Sequence, residues 1–295
     1  MQKEYVYVII SGILSGIIIF GGKLFSNLGL SLFELSILSP LIWSLILLPF
    51  VIFFFKIKKG MLPLLISYGL ISSLVIISQY SPVFLGVPVS LTVLLLYTQP
   101  LWTIIISKIF LKEKITLLKI ISMILVLLGV VIMVNPFTMN SIGSILGVII
   151  AAFGGFFLSL WVIASRIAGE RKYHPIAIKF CVGLFSWIFL FLFFPLLRII
   201  FHGADQMRFN PHLSILLWLF LIFFVALSEI INHMLYYKAM QKVPASDAGI
   251  MLLLEPLSAS ILAWVFLSEA ITIPIIIGGI LIILGNYFVV RSSSK

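Results

Sequence analysis

Two stretches of this chain decide its fold, because they repeat one another without a gap. Residues 88–116 read PVSLTVLLLYTQPLWTIIISKIFLKEKIT, and residues 244–272 read PASDAGIMLLLEPLSASILAWVFLSEAIT. They form the centre of a longer match between residues 80–132 and 236–288, in which prolines, glutamates, a glycine and an Ile-Thr pair coincide. The chain therefore consists of two related halves.

The lysines of the two copies differ in a way that predicts opposite orientations. Four lysines of the first copy have uncharged counterparts in the second: Lys108, Lys112, Lys114 and Lys119. Conversely, Lys238 and Lys242 correspond to Pro82 and Gly86. Short membrane loops rich in Lys and Arg stay on the cytoplasmic side, so the two copies should lie upside down relative to each other. Inverted repeats of this kind are typical of secondary transporters, whose substrate site lies near mid-membrane between the halves.

The composition excludes a soluble globular protein. The chain is 62% hydrophobic and 9% charged, with a mean hydropathy of +1.29, whereas a water-exposed surface needs more charge. The net charge of +10 sits in short clusters between apolar runs, which indicates contact with lipid headgroups and no nucleic-acid partner. The single cysteine, Cys181, cannot form an internal disulfide.

The apolar runs predict an all-α integral membrane protein, with ten transmembrane helices in two inverted five-helix repeats around a central cavity. The run after Glu4 lacks a small-x-small cleavage site and is interpreted as an uncleaved first span. The halves are predicted at 1–137 and 138–295. The predicted spans are 5–22, 35–55, 62–81, 89–109, 116–134, 143–165, 177–200, 213–236, 246–267 and 273–290.

Loop charges predict the orientation. With a cytoplasmic N-terminus, 16 of the 19 lysines and arginines fall on cytoplasmic segments, and Lys23, Arg198 and Arg208 fall outside. This bias predicts a multi-pass protein of the cell membrane, plasma or inner, with both termini cytoplasmic. The cytoplasmic set is Lys3, Lys56, Lys58, Lys59, Lys108, Lys112, Lys114, Lys119, Arg166, Arg171, Lys172, Lys179, Lys238, Lys242, Arg291 and Lys295.

Two acids lie deep inside predicted spans. Glu255 and Glu229 both fall about 12–14 Å above the cytoplasmic boundary at 1.5 Å per residue, near the middle of a hydrocarbon core about 30 Å thick. An ionised acid at that depth costs about 2.5–3.5 kcal/mol. Each must therefore face a wet cavity, pair with a cation or hold a proton, which makes both candidates for substrate or proton binding.

The eighth span carries a polar stripe around Glu229. Glu229, Asn232, His233 and Tyr236 follow the i, i+3, i+4, i+7 spacing of one helical face. The stripe should point inward, where His233 could pair with Glu229 or with Glu255. The alternative is a buried acid–imidazole pair that only fixes packing.

A proline follows Gln99 in the first half, as one follows Glu255 in the second. Pro100 and Pro256 should each break the backbone ladder and free a carbonyl at mid-depth, a feature that transporters use to bind polar groups. A simple packing kink is the alternative. Tyr97, Trp161 and Tyr236 could line an amphipathic cavity, although an interfacial or packing role is equally open for each.

Several other features have structural interpretations. Glu113 and Glu269 precede Thr116 and Thr272, which suggests helix capping. Small residues at four-residue spacing on spans 1 and 6 predict close helix packing: Gly12 and Gly16, then Gly147, Ala151 and Gly155. His202, Asp205, Arg208 and His212 lie in the longest outer loop and are too loosely spaced to predict a metal site.

The pattern resembles the drug/metabolite transporter superfamily, specifically its EamA-type members. In the first half the resemblance rests on Gln99-Pro100-Leu101, Lys112-Glu113-Lys114-Ile115-Thr116 and Gly129-Val130. In the second half it rests on Tyr236-Tyr237-Lys238-Ala239, Leu254-Glu255-Pro256-Leu257, Leu267-Ser268-Glu269-Ala270-Ile271 and Gly285. It implies a central cavity lined by spans 1, 3, 4, 6, 8 and 9, in a family that includes metabolite and amino-acid exporters.

The chain departs from this family in two ways. Lys112 and Ser268 stand where the family usually has a glycine before the junction acid. Related small multidrug exporters place an essential acid in their first span, and this chain has none there, so Glu255 or Glu229 would have to take that role.

The sequence therefore predicts a secondary transporter. The favoured hypothesis is an exporter of small amphipathic metabolites such as amino acids, working by alternating access, with a proton, sodium or no coupling ion all open. No cofactor is predicted, and the partners are a small-molecule substrate and the lipid bilayer. A monomer suffices because two fused halves could do the work of an inverted dimer, and a homodimer stays open. The alternatives are an intramembrane enzyme and a channel or scaffold. The chain offers the enzyme hypothesis neither an HExxH motif nor a pair of aspartates deep in the spans.

Overall fold

The structure is a computed structural model that describes residues 3–55, 57–136, 142–200 and 213–292. Within these residues the chain forms helices and turns, and no strand. The α-helices are α1 Lys3–Asn27, α2 Leu32–Phe54, α3 Leu62–Phe84, α4 Val89–Leu96, α5 Gln99–Phe110, α6 Leu117–Val134, α7 Ile145–Glu170, α8 Pro175–Ile200, α9 Ile215–Val225, α10 Asn232–Ala239, α11 Ala245–Met251, α12 Glu255–Leu267 and α13 Ile273–Ser292.

These helices build ten stretches that are long and apolar enough to cross a membrane. Six are single α-helices, and span 3 adds a 3-10 turn, Lys59–Met61, before α3. Three are composite: span 4 joins α4 and α5, span 8 joins α9 and α10, and span 9 joins α11 and α12. The ten predicted spans are therefore confirmed, with ends that shift by a few residues. They run Lys3–Asn27, Phe33–Phe54, Lys59–Phe84, Val89–Phe110, Leu117–Val134, Ile145–Glu170, Pro175–Ile199, Ile215–Ala239, Ala245–Leu267 and Ile273–Ser292.

The outer surface of the bundle is apolar. Large side chains such as Phe53, Phe110, Ile145, Ile215 and Ile273 are mostly exposed. A soluble monomer does not expose a contiguous apolar surface of this extent, whereas hydrocarbon tails would cover it. The fold is thus that of a multi-pass membrane protein.

Both predicted proline breaks are confirmed. In span 4, α4 ends at Leu96 and α5 begins at Gln99, with Pro100 in its first turn. In span 9, α11 ends at Met251, a 3-10 turn follows, and α12 begins at Glu255. Proline lacks an N–H and cannot continue the ladder of its own turn, so a new helix segment starts around it.

The packing partners of each span correspond to those of its counterpart five spans later in the chain. Span 1 contacts spans 8 and 9, and span 6 contacts spans 3 and 4; span 5 packs along span 10, and span 2 along span 7. Two related five-span halves would produce this pattern. The inversion of one half relative to the other stays a prediction.

Glycines bring the first span directly onto the backbone around Glu255. A Cβ atom on Gly16 would lie 2.6 Å from the Ala259 amide nitrogen and 2.8 Å from the Glu255 carbonyl oxygen. On span 6, a Cβ atom on Gly155 would lie 2.8 Å from the Leu95 carbonyl oxygen. Both predicted small-residue faces are therefore packing surfaces, and they lie at corresponding places in the two halves.

Replacing Gly16 tests this contact. The Gly16→Ala substitution should destabilise the protein by about 1–3 kcal/mol, because the methyl group meets rigid backbone atoms. The measurement is thermal unfolding of the purified protein in detergent. Gly60→Ala is the matched control, since a Cβ atom there meets no neighbour. Equal melting temperatures for the two variants would contradict the close approach of α1 and α12.

Candidate functional site

Glu255 differs from the other described acids in having no partner. The chain has nine acids, of which Asp205 lies outside the described residues. Seven of the remaining eight make an ion pair or a hydrogen bond to the backbone: Glu4, Glu34, Glu113, Glu170, Glu229, Asp247 and Glu269. Among the described residues, no hydrogen bond or ion pair holds the Glu255 carboxyl.

The Glu255 side chain faces the interior of the bundle. Its charge acts on Tyr80 of span 3, Tyr97 of span 4 and Glu229 of span 8. The side chain is also partly exposed. Its neighbours belong to spans 3, 4 and 8, so the carboxyl lies among helices of both halves. Glu255 is also the first residue of α12, where the helix dipole favours a negative charge.

Glu229 is neutralised by a lysine that the sequence analysis misplaced. The Lys179 ammonium of α8 donates to Glu229 Oε2 at 3.0 Å and lies 3.4 Å from the centroid of the Trp43 ring. The interpretation of Lys179 as a cytoplasmic loop charge was wrong, since its side chain is 2% exposed. The sequence feature that indicates burial of Lys179 is its position inside an apolar run, after Ala177 and Ile178.

His233 lies beside this ion pair. Its Nδ1 is 2.7 Å from the Glu229 carbonyl oxygen, which can only accept, so Nδ1 carries a proton. The same nitrogen is 3.5 Å from Glu229 Oε2 and 3.2 Å from the Lys179 ammonium. Of the two pairings that the sequence left open for His233, the structure forms the one with Glu229.

The residues of the predicted polar stripe on span 8 are all buried or partly buried, as side chains that point inward should be, but they contact different helices. Residues Ala226–Ile231 form a π-helical turn, which changes the angle between successive side chains. Asn232 points to α1, where it accepts from Ser11 and donates to Ser15 Oγ at 3.0 Å. Glu229 and His233 instead face α8. Asn232 therefore joins spans 1 and 8 and stands apart from the acid pair.

Four aromatic residues of spans 3, 6 and 8 pack together in the interior of the bundle. In this aromatic cluster, Trp161 stacks on Tyr236 at a centroid distance of 5.2 Å and meets Tyr68 edge-on at 5.7 Å. Tyr237 packs against Tyr68 and against Tyr236. All three tyrosines are at most 1% exposed. The predicted cavity residues Trp161 and Tyr236 are thus part of a packed barrier.

The predicted residues of the first half divide between two roles. Tyr97 is buried close to Glu255. Gln99 is 1% exposed and donates to Thr103 Oγ1 at 2.5 Å, and its amide nitrogen would lie 2.7 Å from a Cβ atom on Gly249. Gln99 therefore packs span 4 against span 9 and does not face Glu255.

A second buried polar group, which we call the interhalf network, lies near the ends of spans 1, 5 and 9. The Lys119 ammonium is 2.6 Å from Asp247 Oδ1 and donates to Ser246 Oγ at 3.2 Å, and the Tyr5 hydroxyl donates to Asp247 Oδ2 at 2.7 Å. Lys119 was also predicted to be a loop charge, and its burial corrects that interpretation.

Glu113 completes the interhalf network. Thr116 caps its own helix as predicted, by accepting from the Lys119 amide. Glu113 instead accepts from the backbone N–H groups of Ala245 and Ser246, at 2.6 and 3.0 Å. It thus caps α11 of the other half, whereas its counterpart Glu269 pairs with Lys23. The predicted loop with His202, Asp205, Arg208 and His212 lies outside the described residues.

Comparison with known proteins identifies the family. The model of the EamA-like transporter family matches residues 2–135 and 145–291. The chain belongs to this family. An uncharacterised transporter from Clostridium kluyveri is 27% identical over 307 residues, covering 100% of this chain and 95% of that protein. An uncharacterised transporter from Archaeoglobus fulgidus is 28% identical over 200 residues, covering 65% of this chain and 64% of its own.

A solved structure shares the fold. A protein of known crystal structure superposes on this chain with a TM-score of 0.76 and 16% sequence identity, and the match covers 98% of both chains. At that identity the likeness shows the fold alone. Together with the ten apolar helices, the family membership shows that this chain is a multi-pass membrane protein of a transporter family, as the sequence resemblance predicted.

The ion pair in the interhalf network can be tested by stability. Lys119→Met removes the ammonium beside a fully buried carboxylate and should cost about 3–5 kcal/mol. The double variant Lys119→Met with Asp247→Asn should recover most of that loss, because no charge is left without its partner. Thermal unfolding in detergent measures both, with the exposed Lys114→Met as control. A Lys119→Met variant as stable as Lys114→Met would contradict the burial of this pair.

Proposed function

We propose that this protein is a secondary transporter that exports small amphipathic metabolites by alternating access. The observation that carries the proposal is the Glu255 carboxyl, which alone among the described acids lacks a partner while it lies inside the bundle. An acid there is costly unless a proton or a cationic group balances it. A substrate amine or a coupling proton supplies that balance.

The surroundings of Glu255 support reversible binding. Tyr80 and Tyr97 lie within range of its charge and offer aromatic surface with polar tips. The breaks at Pro100 and Pro256 fall at the same depth in both halves, and broken helices of this kind form the binding sites of other transporters. Glu229 and His233 lie nearby as a pair already balanced by Lys179, so they tune the site and do not carry its charge.

The closed end of the bundle supports alternating access. The aromatic cluster and the interhalf network both lie between Glu255 and the end of the bundle where α10 leads into α11. No equivalent network is expected at the other end, because Lys119 and Asp247 correspond by the repeat to Ile275 and Leu91. A substrate that reaches Glu255 from one side would leave on the other only after these contacts separate.

Loop charges support an orientation in the cell membrane with both termini cytoplasmic. Removing the buried Lys119 and Lys179 from the count leaves 14 of the original 16 cytoplasmic charges against three outside, a bias that is still strong. The closed end then faces the cytoplasm, and Glu255 is reached from outside. Export requires the opposite state as well, in which the interhalf network opens.

The test is counterflow in proteoliposomes. The probes are radiolabelled phenylalanine and 2-phenylethyl-trimethylammonium, a permanent cation that does not leak through lipid. Wild-type protein should exchange at least one probe saturably, and Glu255→Gln should abolish exchange or uncouple it from protons while the protein still folds. Glu170→Gln is the control, because Glu170 lies at the exposed end of α7.

Two results would overturn the proposal. Wild-type rates in Glu255→Gln would remove Glu255 from the mechanism. Flux that fails to saturate and shows no counterflow would indicate a channel, since only a carrier couples the movement of one substrate molecule to the return of another.

A further inference from the structure

The charge balance around Glu255 depends on Lys179. Its ammonium is 3.0 Å from Glu229 Oε2 and 3.4 Å from the Trp43 ring centroid, and its side chain is 2% exposed. A cation held by a carboxylate on one side and an aromatic face on the other is fixed in place. Lys179 thus cancels the charge of Glu229, and the pair together contributes no net charge to the site.

His233 adds no charge either. Its Nδ1 donates to the Glu229 carbonyl oxygen at 2.7 Å and lies 3.2 Å from the Lys179 ammonium. A second positive charge at that distance from an ammonium is strongly repelled. The ring is therefore neutral, and the unpaired Glu255 carboxyl is the one uncompensated charge of the site among the described residues.

We infer that Lys179 determines the charge of the substrate, and that the site takes amphipathic molecules with one cationic group and no anionic group. This inference rests on the proposed transport function. The cationic group neutralises Glu255, and the apolar body packs against the tyrosines close to that acid, Tyr80 and Tyr97. Amines, amides and esters of amino acids belong to this class, whereas free amino acids do not.

Lys179 disfavours two related classes of ligand for definite reasons. A zwitterion brings a carboxylate, and the buried cation of this ion pair, Lys179, is already engaged by Glu229 and Trp43. A dication brings a second ammonium whose nearest acid, Glu229, is already engaged by Lys179. In both cases a buried charge would be left without its counterpart, which costs binding energy.

Three probes with the same four-carbon chain separate these classes. Butylamine carries one positive charge, 1,4-diaminobutane carries two, and 4-aminobutanoate is a zwitterion. Binding to the purified full-length protein is measured by calorimetry and by thermal stabilisation. The wild-type protein should prefer butylamine to each of the other two by about tenfold in Kd.

Single substitutions in the ion pair should shift the preference in opposite directions. Lys179→Met leaves Glu229 and Glu255 both negative, so 1,4-diaminobutane should become the tightest ligand. Glu229→Gln leaves the Lys179 ammonium without its counter-charge, so it can pair with a substrate carboxylate and 4-aminobutanoate should become the tightest ligand. The double variant Lys179→Met with Glu229→Gln restores the net charge and should again prefer butylamine. Lys179→Arg keeps the charge and should retain the wild-type order.

The binding and counterflow results separate the substrate class, the role of the ion pair and the transport proposal. A wild-type preference for the zwitterion would overturn the assigned substrate class while leaving carrier activity, as measured by counterflow, intact. An unchanged order in Lys179→Met or in Glu229→Gln would overturn the role of the ion pair. If one single variant does not fold, the other single variant and the double variant still test the rule. If the wild-type protein shows no counterflow but binds the three probes in the expected order of affinity, the result would count against the transport proposal and not against the role of the ion pair.

Discussion

A buried charge in a membrane protein must be balanced, and this constraint organises the whole molecule. Charges are rare in this chain, and nearly every described acid has found a counter-charge or a set of backbone donors. Several of these pairs join distant parts of the chain: Glu4 with Lys242, Lys23 with Glu269, Lys119 with Asp247 and Lys179 with Glu229. The first three of these pairs tie the two halves together, and the fourth joins two spans of the second half, where hydrophobic attraction between helices is weak. Against this background the single unpartnered carboxyl, Glu255, marks the place where something from outside the protein supplies the balance.

The sequence was sufficient for the ten helices and for the breaks at Pro100 and Pro256, because both depend on local patterns. Apolar runs of membrane-spanning length give the helices, and proline after Gln99 and Glu255 gives the breaks in spans 4 and 9. Depth inside a span follows from counting residues at a constant rise. These properties need no knowledge of which helix packs against which.

The partners of the charges could not be predicted, because they depend on contacts between spans far apart in the chain. Lys119 and Lys179 were counted as loop charges on account of their positions near span ends, yet both are buried against acids of the second half. That Asn232 contacts α1 and not the acid pair could not be predicted from an α-helical period, because the span contains a π-helical turn. For Trp161 and Tyr236 the sequence left a cavity, interfacial or packing role open, because the pattern of one chain segment does not show which rings stack on each other.

The most direct test of the account is whether water reaches position 255. Cysteine is placed there in a Cys181→Ala background, since Cys181 is the one native thiol, and a water-soluble thiol reagent is applied to the purified protein in detergent, where it reaches both ends of the bundle. Ile261→Cys, on the exposed apolar surface of the same span, and Gly60→Cys, at an exposed site outside the helix cores, are the references. The account predicts that Glu255→Cys reacts as Gly60→Cys does while Ile261→Cys stays unreactive. A Glu255→Cys protein as inert as Ile261→Cys would contradict a hydrated site between the halves.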